Sequence, residues 1–136
     1  MGLYDKALSD FSKALTINPY YLTVYKNRAL TYMNLKNYKM AFNDFDTYLK
    51  LNPGDAGIYS DRGVMKQNIN QHDDAIKDFT YAIQKKQNEP SYYFNRSISY
   101  YWLGNFDNAV CDIEKAIKLG YKVDPNYLKL LKEGKK

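Results

Sequence analysis

The feature that most constrains this chain is an internal period of 34 residues, kept in step over almost all of its 136 positions. Shifting the sequence by that interval lays Tyr25 on Tyr59, Tyr93 and Tyr127, Arg28 on Arg62 and Arg96, and Ala7 on Ala41, Ala75 and Ala109. The same shift aligns Asp10, Asp44, Asp78 and Asp112, followed in turn by Phe11, Phe45, Phe79 and Ile113. A period of this length marks stacked supersecondary units, because a unit so short hides its apolar flank only against its neighbours.

Inside each period the apolar residues recur at helical spacing. The pattern predicts helices over 3–17, 21–34, 38–51, 57–69, 73–85, 90–103 and 106–119, then a last helix opened by Asp124 and Pro125. Asn18-Pro19 and Asn52-Pro53-Gly54 are stop signals, Pro90 suits a first helical turn, Gly104-Asn105 a tight turn, and Asp124 an N-cap. Ala41 falls where two helices approach closely. The columns Leu8, Phe42, Ile76, Val110 and Leu15, Leu49, Ile83, Ile117 read as core. Tyr127, Leu128, Leu130 and Leu131 give the last helix an apolar side, backed by Lys129, Lys132 and Glu133, as a solubilising end cap requires.

This pattern resembles the tetratricopeptide repeat family, a helix-turn-helix unit of 34 residues. The family's aromatic, small, aromatic, Ala-x3-Phe and Pro positions correspond to Tyr25, Ala29, Tyr32, Ala41, Phe45 and Pro53. The next copy has Tyr59, Gly63, Ala75 and Phe79, but Lys66 takes the second aromatic position and Gln87 that of the Pro. The third has Tyr93, Ser97, Tyr100 and Ala109, with Ile113 for Phe. Arg28, Arg62 and Arg96 stand where the family usually has Leu. The resemblance implies an all-α, right-handed α-solenoid in one domain over 1–136. Residues 1–21 form the second half of a repeat, 22–55, 56–89 and 90–123 are repeats, and 124–136 is a capping helix.

Composition narrows the function. The net charge of +5 is concentrated at the end: residues 122–136 hold 5 Lys against 2 acids, leaving +2 for the other 121 residues. A nucleic-acid footprint is a concentrated basic stripe, so RNA binding is a second alternative only. Cys111 is the single cysteine, which excludes an internal disulfide and fits a reducing, cytoplasmic compartment. No run of about 18 apolar residues spans a bilayer, and the first residues carry no signal-peptide core.

Catalysis finds little footing. His72 is the only histidine and replaces an aromatic in the Tyr4, Tyr38, Phe106 column, so it reads as a packing residue. Cys111 has no second thiol for a metal, no glycine loop cradles phosphate, and Asp73-Asp74 opens a helix, where negative charge meets the dipole favourably. The expected protein is not an enzyme and needs no cofactor or metal.

The polar columns are the most specific feature. Arg28, Arg62 and Arg96 lie 16 residues before Asp44, Asp78 and Asp112, on the first and second helices of each repeat. An arginine on an apolar inter-helix face demands a counter-charge, which the aspartate supplies. Leu130 stands where a fourth Arg would fall, in the one helix with no partner helix after it. Pairing within each repeat is therefore expected, as a structural ladder rather than a ligand-binding row.

The family resemblance places ligands on the concave face, lined by the first helices. There the chain has Lys26, Asn27, Leu30, Met33 and Asn34; then Ser60, Asp61, Val64, Gln67 and Asn68; then Phe94, Asn95, Ile98, Tyr101 and Trp102. Amides bond an extended backbone as donor and acceptor, while Met and aromatic side chains adapt to apolar ones. Trp102 is also open to a plainer reading, packed on the cap. Some relatives hold the terminal carboxylate of heat-shock chaperones with Lys and Asn. Asn27 and Asn95 match, but Asp61 lies between them and Thr23, Gly57 and Ser91 fill the Lys column. An acid there repels a carboxylate, so a protein or peptide partner with a neutral or basic segment is expected. The alternative is self-assembly, the last helix of one chain filling the place before residues 3–17 of another, since Lys136 and Met1 are one step apart in register.

Overall fold

The computed structural model describes residues 2–134, and among these it contains eight α-helices and no strand. The chain divides into two compact units, the first ending at Ile58 and the second beginning at Tyr59.

The first unit holds α1 (Gly2–Ile17), α2 (Leu22–Asn34), α3 (Tyr38–Leu51) and the first turn of α4 (Ala56–Asn68). After α1, the Asn18 side chain accepts from the Tyr20 backbone N–H, and Tyr25 donates its hydroxyl hydrogen to the Pro19 carbonyl at 3.0 Å. The stop signal thereby becomes a staple onto α2. Asn37 caps α3, its side chain accepting from the Met40 N–H. Between α2 and α3, Ala29, Ala41 and Phe45 are fully buried, small residues letting the backbones approach around one ring. Burying a ring of that size stabilises by about 1.5–3 kcal/mol. Tyr48 donates to Asp55 Oδ2 at 2.5 Å, and the other oxygen of Asp55 accepts from the Ile58 N–H at the start of α4.

The second unit runs from Tyr59 through the rest of α4, then α5 (His72–Lys85), α6 (Pro90–Trp102), α7 (Phe106–Lys118) and α8 (Pro125–Gly134). Gly63 is required at its crossing: a Cβ there would lie 2.8 Å from the ring of Phe79, which is itself fully buried. At the same position of the next pair stands Ser97, opposite the smaller Ile113, and its hydroxyl donates to the Phe94 carbonyl. Asp124 caps α8 by accepting from the Asn126 N–H. Ala109, Ile113 and Leu131 form a core to which Phe94, Tyr100, Tyr101, Tyr127 and Leu128 add their flanks.

The hairpin turns repeat as faithfully as the helices. Lys36, Asn70 and Gly104, one period apart, all have positive φ, at 57°, 60° and 72°. In each case the next backbone N–H returns to a carbonyl inside the preceding helix: Asn37 to Tyr32, Gln71 to Lys66, Asn105 to Tyr100. Only Gly104 adopts that geometry without side-chain strain.

Helix ends differ from the sequence expectation by a residue at several places. Leu103 and Leu119 lie just past the ends of α6 and α7, and His72 opens α5. One core column needs correction. Leu15 and Leu49 are buried, but Ile117 is 41% exposed, because α8 packs on the stripe of Ala109 and Ile113 and leaves that flank open. Leu8, Phe42, Ile76 and Val110 are half-buried, a rim rather than a centre.

Candidate functional site

The first helix of each pair carries an arginine in a fixed setting. In the first unit, Arg28 on α2 donates from Nε and Nη2 to the two oxygens of Asp44 on α3, at 2.8 and 2.7 Å, and from Nη1 to Ser12 Oγ on α1 at 3.2 Å. In the second, Arg96 on α6 repeats the arrangement with Asp112 on α7 at 2.7 Å on both branches, and reaches back to Thr80 Oγ1 on α5 at 2.9 Å. Arg62 forks onto Asp78 in the same way, at 2.9 and 2.8 Å. A planar guanidinium matches a carboxylate along both edges, which a lysine does not.

Each arginine also lies beside the tyrosine three residues earlier, 5.4–5.9 Å from the ring centres of Tyr25, Tyr59 and Tyr93. The Asp44 hydrogen bonds raise the Arg28 pKa above its ordinary value; around Arg96 burial opposes the charge and the Asp112 hydrogen bonds outweigh it. The middle pair has an extra member. Lys66, in the column of Tyr32 and Tyr100, is buried and places Nζ 2.9 Å from Asp78 Oδ2. Sequence spacing points to the arginines, whereas Lys66 reads in the sequence only as a lost aromatic.

The residues assigned to a binding face divide by unit. On α2, Lys26, Leu30 and Met33 are half-buried, with Asn27 and Asn34 exposed. On α4 and α6, Asp61, Val64, Gln67, Phe94, Asn95, Ile98 and Tyr101 are half-buried and Asn68 is exposed, while Ser60 is buried. Three of these already have work within the unit. Gln67 Nε2 donates to the Asn95 carbonyl at 2.6 Å and to Ser99 Oγ at 2.7 Å, bridging α4 to α6. Phe94 stacks on Tyr121 at 4.6 Å and tilts against Tyr127 at 6.0 Å. Tyr101 meets Phe106 and Tyr127 edge-on. The side chains of Val64, Asn68, Asn95 and Ile98 take no part in these three contacts.

Trp102 departs from its plainer reading. It is 66% exposed and lies parallel to His72, ring centres 6.1 Å apart at 14°, instead of packing on α8. The Nδ1 of His72 is buried and has no hydrogen-bond partner. The hydroxyl of Tyr127 is likewise buried with no partner in good hydrogen-bond geometry, because the Ser97 hydroxyl donates to Phe94 instead; burial pushes its pKa up, and the nearby Ser97 side chain opposes that push only in part.

Among the described residues no three His, Cys, Asp or Glu side chains are grouped to hold a metal ion, and no helix is long and apolar enough to cross a membrane. Met1 and Lys136, on which the end-to-end register rests, lie outside the described residues.

Comparison with known proteins bears on the fold. The sequence pattern of the tetratricopeptide repeat matches residues 23–55. No curated protein matches the sequence. Two crystal structures of MamA superpose on 98% of the chain at 23% identity, with TM-scores of 0.87 and 0.86, covering 80% and 74% of their own chains. MamA from Desulfovibrio magneticus RS-1, residue 41 to the end, superposes on 87% of the chain at 20% identity, with a TM-score of 0.80 and 67% of its own length covered. At these identities the likeness is one of fold.

Proposed function

We propose that this chain, which carries a tetratricopeptide repeat at residues 23–55 and has an all-α fold of helix-turn-helix repeats, is a non-catalytic scaffold that binds a protein segment on the first helices of its pairs. Repeats of this family support a protein-interaction role. The observation that carries the finer reading is the division of labour on α4 and α6. Gln67, Phe94 and Tyr101 are spent on packing, while Asn68, Asn95, Val64 and Ile98 combine two amides with two aliphatic surfaces. That mixture suits an extended backbone with apolar side chains at intervals. Asp61 on the same helix favours a neutral or basic segment.

Selection of random dodecapeptides against the chain, followed by amide chemical-shift mapping, tests this. The expected shifts cluster on Val64, Asn68, Asn95 and Ile98, and Asn68→Ala with Asn95→Ala weakens binding about tenfold, the worth of roughly one hydrogen bond to backbone. Shifts confined to α5 and α7 would remove the assignment.

Self-association is the rival reading, favoured by Leu3 and Ile17, which are 86% and 85% exposed on α1. Sedimentation across a hundredfold range of concentration separates the two: a strict monomer ends the rival.

A further inference from the structure

We propose that Trp102 is a docking platform for an arginine side chain of the bound segment, with the acids at the start of α5 as its electrostatic lure. The inference rests on the reading of α4 and α6 as a peptide-binding face and names the chemistry at one end of it. The Gln67 bridge to Asn95 and Ser99 holds α4 against α6, and three residues beyond Ser99 on α6 comes Trp102, as five residues beyond Gln67 comes His72. The stack therefore lies at the end of that face where both helices finish.

Three observations shape the ligand. Trp102 is an aromatic side chain with most of its surface exposed, yet it has aromatic neighbours on two sides: His72 lies nearly parallel and offset, ring centres 6.1 Å apart, and Tyr101 meets it edge-on at 5.9 Å and 74°. A preorganised indole of this kind loses little freedom on binding, and exposed Trp is the side chain most enriched among energetic anchors of interfaces. Its free face offers the negative side of the ring quadrupole, on which a planar guanidinium stacks best. The helix turn that His72 opens carries charges of the matching sign. His72 is followed by Asp73 and Asp74, both exposed in the first turn of α5; Asp74 is paired with Lys77 at 3.0 Å, and that exposed pair is weak enough to be exchanged. An acidic segment meets the wrong field here, and an aliphatic one leaves the quadrupole unused.

Trp102 is the sole tryptophan, so its fluorescence reports the site directly. The probes are Ac-Ala-Leu-Arg-Leu-Ala-amide and the same peptide with citrulline, lysine or glutamate in place of arginine. Citrulline keeps the shape of arginine without its charge. The expected result is a change in indole emission, with arginine bound about fivefold tighter than citrulline and glutamate weakest. Trp102→Ala erases the arginine preference while the shifts at Asn68 and Ile98 remain, and Trp102→Phe retains part of it. Equal affinity for arginine and citrulline, with those shifts present, overturns the platform and leaves the groove. Loss of all shifts on α4 and α6 overturns both. Tighter quenching by an oligouridylate than by the arginine peptide overturns it in favour of base stacking.

Discussion

Two consecutive helix pairs, α4 with α5 and α6 with α7, follow one plan with different parts. Both fork an arginine onto an aspartate 16 residues later. Around Asp78, however, the second aromatic has been replaced by Lys66, and around Asp112 it is kept as Tyr100, 5.7 Å from the Arg96 guanidinium. At the crossing, glycine faces phenylalanine in one pair and serine faces isoleucine in the other. The contrast teaches that a repeat position is filled in pairs: a larger side chain on one helix obliges a smaller one opposite, and a second cation needs the carboxylate it crowds.

The most severe test of that contrast is to remove the carboxylates. Asp78→Asn removes a carboxylate shared by two largely covered cations, Arg62 and Lys66, and Asp112→Asn one that serves Arg96, so both should cost about 3–5 kcal/mol, with Asp78→Asn the larger, measured by urea unfolding. A cycle with Arg62→Met should show strong coupling; additive losses would mean that the pair does no more than coexist. Next comes the crossing. Gly63→Ala forces a methyl into the ring of Phe79 and should cost about 1–3 kcal/mol, and adding Phe79→Ile should recover most of it by recreating the α6 and α7 arrangement. Ser97→Ala, by comparison, removes only one local hydrogen bond and should cost about 1 kcal/mol or less. Gln67→Ala deletes the tie between α4 and α6, with an expected loss of about 1–2 kcal/mol and faster amide exchange at Ser99.

The smallest effect has the opposite sign. Tyr127→Phe removes a buried hydroxyl that has no partner and should be neutral or stabilising by up to about 1 kcal/mol. Because the folded-state pKa of Tyr127 is raised, its contribution is complete below the ordinary tyrosine value of about 10 and declines above it, as the unfolded chain ionises first. The phenylalanine variant should therefore lose less stability in alkali, read as thermal midpoints from pH 8 to 11.

Much of the fold was legible because periodicity is carried by many positions at once. Tyr38–Leu51 was bounded to the residue, since Asn37 caps it and Asn52-Pro53 ends it. The arginine and aspartate columns were legible too, as a charge on an apolar face has few ways to be satisfied. What stayed hidden were exchanges between columns. Lys66 reads as a defect until Asp78 is seen beside it, and Phe94 and Tyr101 read as free aromatics until Tyr121 and Tyr127 cover them. Trp102 stands among the concave-face residues with a plainer reading beside it, and spacing does not reveal that His72 is its ring neighbour. The open flank at Ile117 was equally invisible, as a column says which residues are equivalent and not which neighbour is present.

The third branch of the Arg28 and Arg96 guanidinium groups carries a consequence for dissecting the molecule. Arg96 holds Asp112 on α7 but also Thr80 on α5, as Arg28 holds Asp44 on α3 and Ser12 on α1. A fragment begun at Pro90 would keep the complete 90–123 period and still leave one arm of its arginine grasping at water. The helical hairpin is thus the wrong unit to excise: the smallest self-sufficient piece is three consecutive helices, and shuffling these segments between scaffolds should succeed in overlapping triplets where it fails in pairs.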